Sequence, residues 1–128
     1  MTDAGTRIGI TDVRTVAIPV ADQRRARDFY TDALGFETRL DAPLGSGRWI
    51  ELAPPGATTS IALVPGAAIG VDTGVDTGIR LTTADAAADH QALGAAGVDV
   101  GELLRYPGVP PMFSFRDPDG NRLYVVEA

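Results

Sequence analysis

The sequence has no cysteine and no lysine, and only one histidine and one tryptophan. Without thiols it can form no disulfide, no thiolate-held metal site and no cysteine nucleophile. All 11 basic residues are arginine, against 17 acidic ones, which leaves a net charge of -6 and a pI near 4.5. That balance disfavours a surface for phosphate backbones, so no nucleic-acid partner is expected. No apolar run approaches the roughly 18 residues of a membrane span, and Met1 to Gly9 lacks the basic-then-apolar pattern of a secretory leader. The expectation is a cytoplasmic protein with no membrane partner. The single histidine, His90, sits among polar neighbours on an expected helix and reads as a surface titrator rather than a ligand. No serine–histidine–aspartate arrangement or phosphate-binding glycine loop is present. Gly45-Ser46-Gly47 and Gly70 to Gly78 read as flexible connections. An all-arginine basic set with abundant alanine, glycine and aspartate fits a GC-rich bacterial genome.

What the chain does have is 45% apolar content in 128 residues, enough for one ordinary core. Residues 1–11 read as an N-terminal extension and 12–128 as a single domain. Val13 to Val20 alternates as a strand; Asp22 is a good N-cap, Gln23 to Leu34 carries apolar residues on one side, and Gly35 is a natural stop. Phe36 to Leu40, Arg48 to Ala53 and Thr59 to Val64 read as three more strands. The order then repeats: a strand at Ile79 to Thr83, a helix from Ala84 to Ala96 capped by Thr83 and stopped by Gly97, and strands at Val98 to Leu104, Met112 to Arg116 and Arg122 to Glu127. Asp22 and Asp85 lie 63 residues apart, and Leu34-Gly35-Phe36 matches Ala96-Gly97-Val98 at a spacing of 62. The fold class is therefore α+β: two βαβββ modules, about 12–65 and 77–127, forming a curved mixed sheet, a half-barrel around a cavity with helices on its outer face.

A more specific signal lies near the C-terminus. Phe115-Arg116-Asp117-Pro118-Asp119-Gly120-Asn121-Arg122-Leu123-Tyr124 reverses the chain tightly between two apolar runs: aspartates bond nearby backbone, Pro118 fixes φ, and Gly120 and Asn121 tolerate positive φ. Taken with Thr15-Val16-Ala17-Ile18-Pro19-Val20-Ala21-Asp22 and Ala26-Arg27-Asp28-Phe29-Tyr30-Thr31-Asp32-Ala33-Leu34-Gly35-Phe36, it closely resembles the vicinal-oxygen-chelate superfamily of glyoxalases, extradiol dioxygenases and bleomycin-resistance proteins. The resemblance covers roughly residues 12 to 127. It implies a homodimer, since relatives commonly pair and some build pockets across the interface. It also implies four inward strand positions that hold one divalent ion in metal-dependent relatives, here Thr15, Ala62, Gly78 and Tyr124. Two of these offer no side-chain donor, and the others offer a neutral hydroxyl and a phenol, so no metal and no cofactor are expected.

Strand alternation assigns Val16, Ile18, Ile61, Leu63, Ile79, Leu81, Phe113, Phe115, Leu123 and Val125 to the helix-covered side. The other face receives the candidate ligand-binding residues Thr15, Trp49, Glu51, Arg80, Met112, Arg122 and Tyr124, with Tyr106 on a proline-rich rim or lid. Flat aromatic surface beside forked arginine donors suits a planar, oxygen-bearing molecule. Trp49 also reads as ordinary sheet packing, the arginines as solvated surface, and Glu51 and Glu127 as a rim and a terminal carboxylate. The leading expectation is a metal-independent protein that binds an aromatic or drug-like small molecule, with antibiotic sequestration its most concrete form. The alternative is a glyoxalase- or dioxygenase-like enzyme, a lyase, isomerase or dioxygenase with an atypical metal site or a proton-transfer catalyst using Glu51 or Tyr124. A third reading is an interaction module with a vestigial cavity.

Overall fold

The computed structural model describes residues 7–128. The first six residues of the expected extension lie outside them. Strand β1 (Thr15–Val20) is followed by helix α1 (Gln23–Asp28), which runs directly into a π turn (Phe29–Ala33), then β2 (Glu37–Leu44), β3 (Gly47–Ala53) and β4 (Ser60–Pro65). A short helix α2 (Gly66–Ile69) leads to the second unit: β5 (Asp76–Thr83), α3 (Ala86–Ala95), β6 (Asp99–Val100), β7 (Met112–Arg116) and β8 (Arg122–Glu127). The strands form two four-stranded mixed sheets of the same topology, ordered β1-β4-β3-β2 and β5-β8-β7-β6. In each the first strand lies parallel to the fourth, and the remaining pairs are antiparallel. The two βαβββ units are thus curved half-barrel modules, not closed into one barrel.

The caps explain where the helices start. The side chain of Asp22 accepts from Arg25 N and that of Asp85 from Ala88 N, the same device 63 positions apart. Thr83 is therefore not the cap of α3; its hydroxyl instead accepts from Asp85 N and donates to Asp89. Both helices stop at glycines with positive φ, Gly35 at 72° and Gly97 at 86°. β7 and β8 match their expected bounds. The expected strand from Val98 shrinks to two residues plus an isolated bridge of Leu104 to Met112, because Pro107, Pro110 and Pro111 interrupt the hairpin. Gly45-Ser46-Gly47 lies at the tight β2–β3 hairpin, and part of the segment leading to Gly70 is helix α2.

The modules share one core. Ile18, Tyr30, Ile50, Leu52 and Leu63 from the first form a single buried cluster with Leu93, Phe113, Phe115, Leu123 and Val125 from the second. The Phe29 and Phe115 rings lie 6.3 Å apart across the junction. The core-side residues of both sheets thus join one cluster, and the two sheets are not closed into one barrel.

The signature turn is the main polar clasp between modules. Asp117 Oδ1 accepts from the amides of Asp119 and Asn121, shaping the turn, while Oδ2 accepts from the Tyr30 hydroxyl and Asn121 Nδ2. Asn121 also donates to Pro19 O at 2.8 Å and accepts from Gly74 N and Val75 N. Asp119 accepts from Ala21 N, and Arg25 donates to Pro118 O. Asn121 does not adopt positive φ, which among the described residues is confined to glycine, including Gly120 at 80°. Its side chain serves as a four-bond staple instead. Burial, with Asp117 beside it, pushes the Tyr30 phenol far above its ordinary pKa.

Three residues expected on the core side are not fully covered. Val16 is 36% exposed, and Ile79 and Leu81 are only half-buried. β1 and β5 are the edge strands of their sheets, and between them lies a groove of about 530 Å³ also lined by Phe36 and Ile61.

Candidate functional site

On the open face of the first module, the pleat of β3 puts Trp49 and Glu51 side by side. The indole Nε1 donates to Glu51 Oε2 at 2.6 Å. Ser60 Oγ, on the neighbouring strand, donates to Oε1 at 3.2 Å, and an Arg14 nitrogen lies 3.5 Å from the same oxygen. Glu51 is only 4% exposed, not a rim residue. The bond from Trp49, together with Arg14 and Ser60, holds its carboxyl below the usual carboxylate range despite burial. Thr15 adjoins this group through Ser60, whose carbonyl accepts from the Thr15 hydroxyl.

Trp49 also lines an open hollow of about 750 Å³ between the β2–β3 hairpin and α2, with Leu44, Val64, Pro65 and Ile69 around it. Leu44 and Ile69 are 61% and 48% exposed and stand as two apolar jaws. Arg48 at the same rim is bonded to Asp41 at 2.5 Å, which lowers the Asp41 carboxyl pKa. Neither Leu44 nor Ile69 could be picked from the sequence as a cavity residue, since their positions depend on the hairpin register and on the four-residue helix.

The second module's open face carries a parallel arrangement. Arg80 places its guanidinium 4.6 Å from the centroid of the Tyr124 ring and donates to Gly78 O. The Tyr124 hydroxyl donates to Asp76 Oδ2 at 2.6 Å, the largest cause of a lowered Asp76 pKa. Asp76 was not among the sequence candidates, because only the parallel β5–β8 pairing places it within reach of Tyr124. Arg122 pairs in register with Asp76. Met112 is half-buried beside Leu104, and Tyr106 stands 60% exposed on the proline-rich loop, bonded to neither aromatic pair. The eight candidates thus fall into a Thr15–Trp49–Glu51 group, an Arg80–Tyr124 group with Arg122 nearby, and the more separate Met112 and Tyr106.

Other expectations change. His90 is not freely solvated: its Nε2 lies 2.8 Å from Gly101 O and its ring meets Phe113 edge-on at 5.1 Å. Glu127 is not a free terminal carboxylate, since it accepts from Ala86 N at the first turn of α3.

A family model, the Glyoxalase/Bleomycin resistance protein/Dioxygenase superfamily, matches residues 13–125. The chain belongs to this superfamily. Among solved structures, TnmS3, an antibiotic binding protein from Streptomyces sp. CB03234, is 35% identical with a TM-score of 0.83, covering 94% of this chain and 98% of that one. A superfamily member from Sphaerobacter thermophilus DSM 20745 is also 35% identical, with a TM-score of 0.88 and coverage of 94% and 100%. YetH of Bacillus subtilis, an uncharacterized protein, is 31% identical over 92% of this chain and 99% of its own.

The four positions that the resemblance implies for a metal ion can be tested on their side chains. Ala62 and Gly78 carry no donor, and Thr15 and Tyr124 offer only neutral hydroxyls, which donate to Ser60 O and Asp76. Among the described residues no three histidine, cysteine or acidic side chains gather in a way that could hold a metal ion. This donor set does not fit a divalent ion. No helix among the described residues is long and apolar enough to cross a membrane.

Proposed function

We propose that this protein binds a planar aromatic small molecule on its open sheet faces without a metal, as a homodimer, and that sequestration of an antibiotic-like compound is its role. The observation that carries this reading is the Trp49 indole, fixed by a buried carboxylate at the edge of a hollow of about 750 Å³ with apolar jaws. A ring held in one orientation binds a flat ligand without paying to order itself, and stacking adds about 0.5–1.5 kcal/mol beyond area burial. The 35% identity to the antibiotic binding protein TnmS3 supports the ligand class.

The two sheets of one chain are not closed into one barrel, so on this reading a ligand on Trp49 lies against a single sheet. A second copy that sets its Arg80–Tyr124 face over the Trp49 face completes an enclosure. The free edges of β1 and β5 and the uncovered Val16, Ile79 and Leu81 between them are the surface such a copy would cover. Turnover has less support. Glu51 has both oxygens bonded and its pKa lowered, which makes it a weak proton acceptor at neutral pH.

The test is thermal unfolding of chelator-treated protein against planar natural products and divalent metals. A ligand at 100 times its dissociation constant adds about 2.7 kcal/mol, which in a domain of this size moves the midpoint by about 10 °C. Stabilisation by an aromatic compound alone supports the reading, and stabilisation by one metal alone overturns it.

A further inference from the structure

Glu51 is a buried anion whose third partner differs in kind from the first two. Trp49 and Ser60 belong to the same sheet and hold their bonds at 2.6 and 3.2 Å. Arg14 precedes β1, its side chain is 77% exposed, it reaches Oε1 only at 3.5 Å, and Glu51 is its only ion-pair partner among the described residues. A long, exposed contact of this type contributes little to stability and is easily exchanged. The carboxylate beneath it, removed from water and committed to ionisation, retains a strong demand for a cationic donor. The indole bonded to this carboxylate also lines the hollow.

We propose that Arg14 is an internal stand-in for the ligand, occupying the place on Glu51 that a hydrogen-bond-donating cationic nitrogen of the bound molecule takes. The inference rests on the aromatic-binding reading above and narrows it: the site selects planar molecules that carry a protonated amine or amidine-like group at one edge. The flat part lies on Trp49, and the cation displaces the Arg14 guanidinium from Oε1. Indole hydrogen-bonded to a carboxylate is also a more electron-rich π surface, and a cationic ring system stacks on it more strongly than an uncharged one of the same shape.

Trp49 is the only tryptophan, so its fluorescence reports this site alone. The experiment titrates the full chain with proflavine, a cationic tricycle, and with acridone, an uncharged tricycle, and reads quenching of Trp49. Proflavine is expected to bind about tenfold more tightly than acridone. Glu51→Gln keeps an acceptor for the indole but removes the charge, and should bring the ratio close to one. Arg14→Ala, at an exposed position that does not threaten folding, should raise the ratio several-fold at low salt. Asp32→Asn, at an exposed position in the turn after α1, changes net charge by the same amount as Glu51→Gln and should keep the wild-type ratio. Equal binding of the two tricycles to wild type, or a preference that survives Glu51→Gln, overturns the inference while leaving the aromatic-binding reading standing. Failure of both tricycles to quench Trp49 overturns both.

Discussion

The Tyr30 hydroxyl donates a 2.9 Å hydrogen bond to Oδ2 of Asp117 across 87 positions of sequence, tying the first module's helix to the second module's signature turn. Both groups are buried, and Asn121 completes the junction. A bond of this kind costs most when one partner is removed and the other is left behind.

Tyr30→Phe leaves Asp117 Oδ2 with one remaining donor and should lose about 1–3 kcal/mol. Asn121→Ala strands the Pro19 carbonyl and two amides together, and should lose about 3 kcal/mol or more. Urea unfolding followed by circular dichroism measures both, with Asn121→Ala the larger loss.

The pH response of the Trp49 environment follows from Glu51. Its folded pKa is lowered, so its contribution to stability is present above the unfolded value of about 4.3 and is lost as pH falls through the lower folded value. Trp49 emission should therefore hold steady as pH falls from neutral through the ordinary glutamate range and change only on its acid side. Glu51→Gln should remove Glu51's share of the acid-side loss, measured as stability against pH.

Gly66 opens α2 at a place with no room for a side chain: a Cβ there would sit 2.4 Å from the Val71 carbonyl oxygen. Gly66→Ala must move backbone, at a cost of about 1–3 kcal/mol, and should displace Ile69 from the hollow. Thermal unfolding shows the first effect, and weaker aromatic quenching of Trp49 shows the second.

Val16→Glu places a charge on the uncovered strip beside the β1 edge. Light scattering on a sizing column should show wild type at twice the chain mass and Val16→Glu as a monomer with unchanged far-ultraviolet circular dichroism. A wild-type monomer would remove the second copy from the proposed function.

The modules were legible because their signals are local. Asp22 and Asp85 as caps, Gly35 and Gly97 as stops, and the alternation through β7 and β8 each act within a few residues. Trp49 and Glu51 could be placed on one face by the same alternation, but not the bond between them, because rotamers carry no sequence signal. Asp76, Leu44 and Ile69 escaped because parallel pairing, a hairpin tip and one turn of helix decide their positions.

The clasp of Tyr30, Asp117 and Asn121 shares no residue with the Trp49–Glu51 or Arg80–Tyr124 groups. The turn residues that join the halves therefore stand apart from the side chains of the open sheets, although Arg122 and Tyr124 follow them directly in the sequence. Side chains on the open sheets can therefore be exchanged without disturbing the joint between the halves.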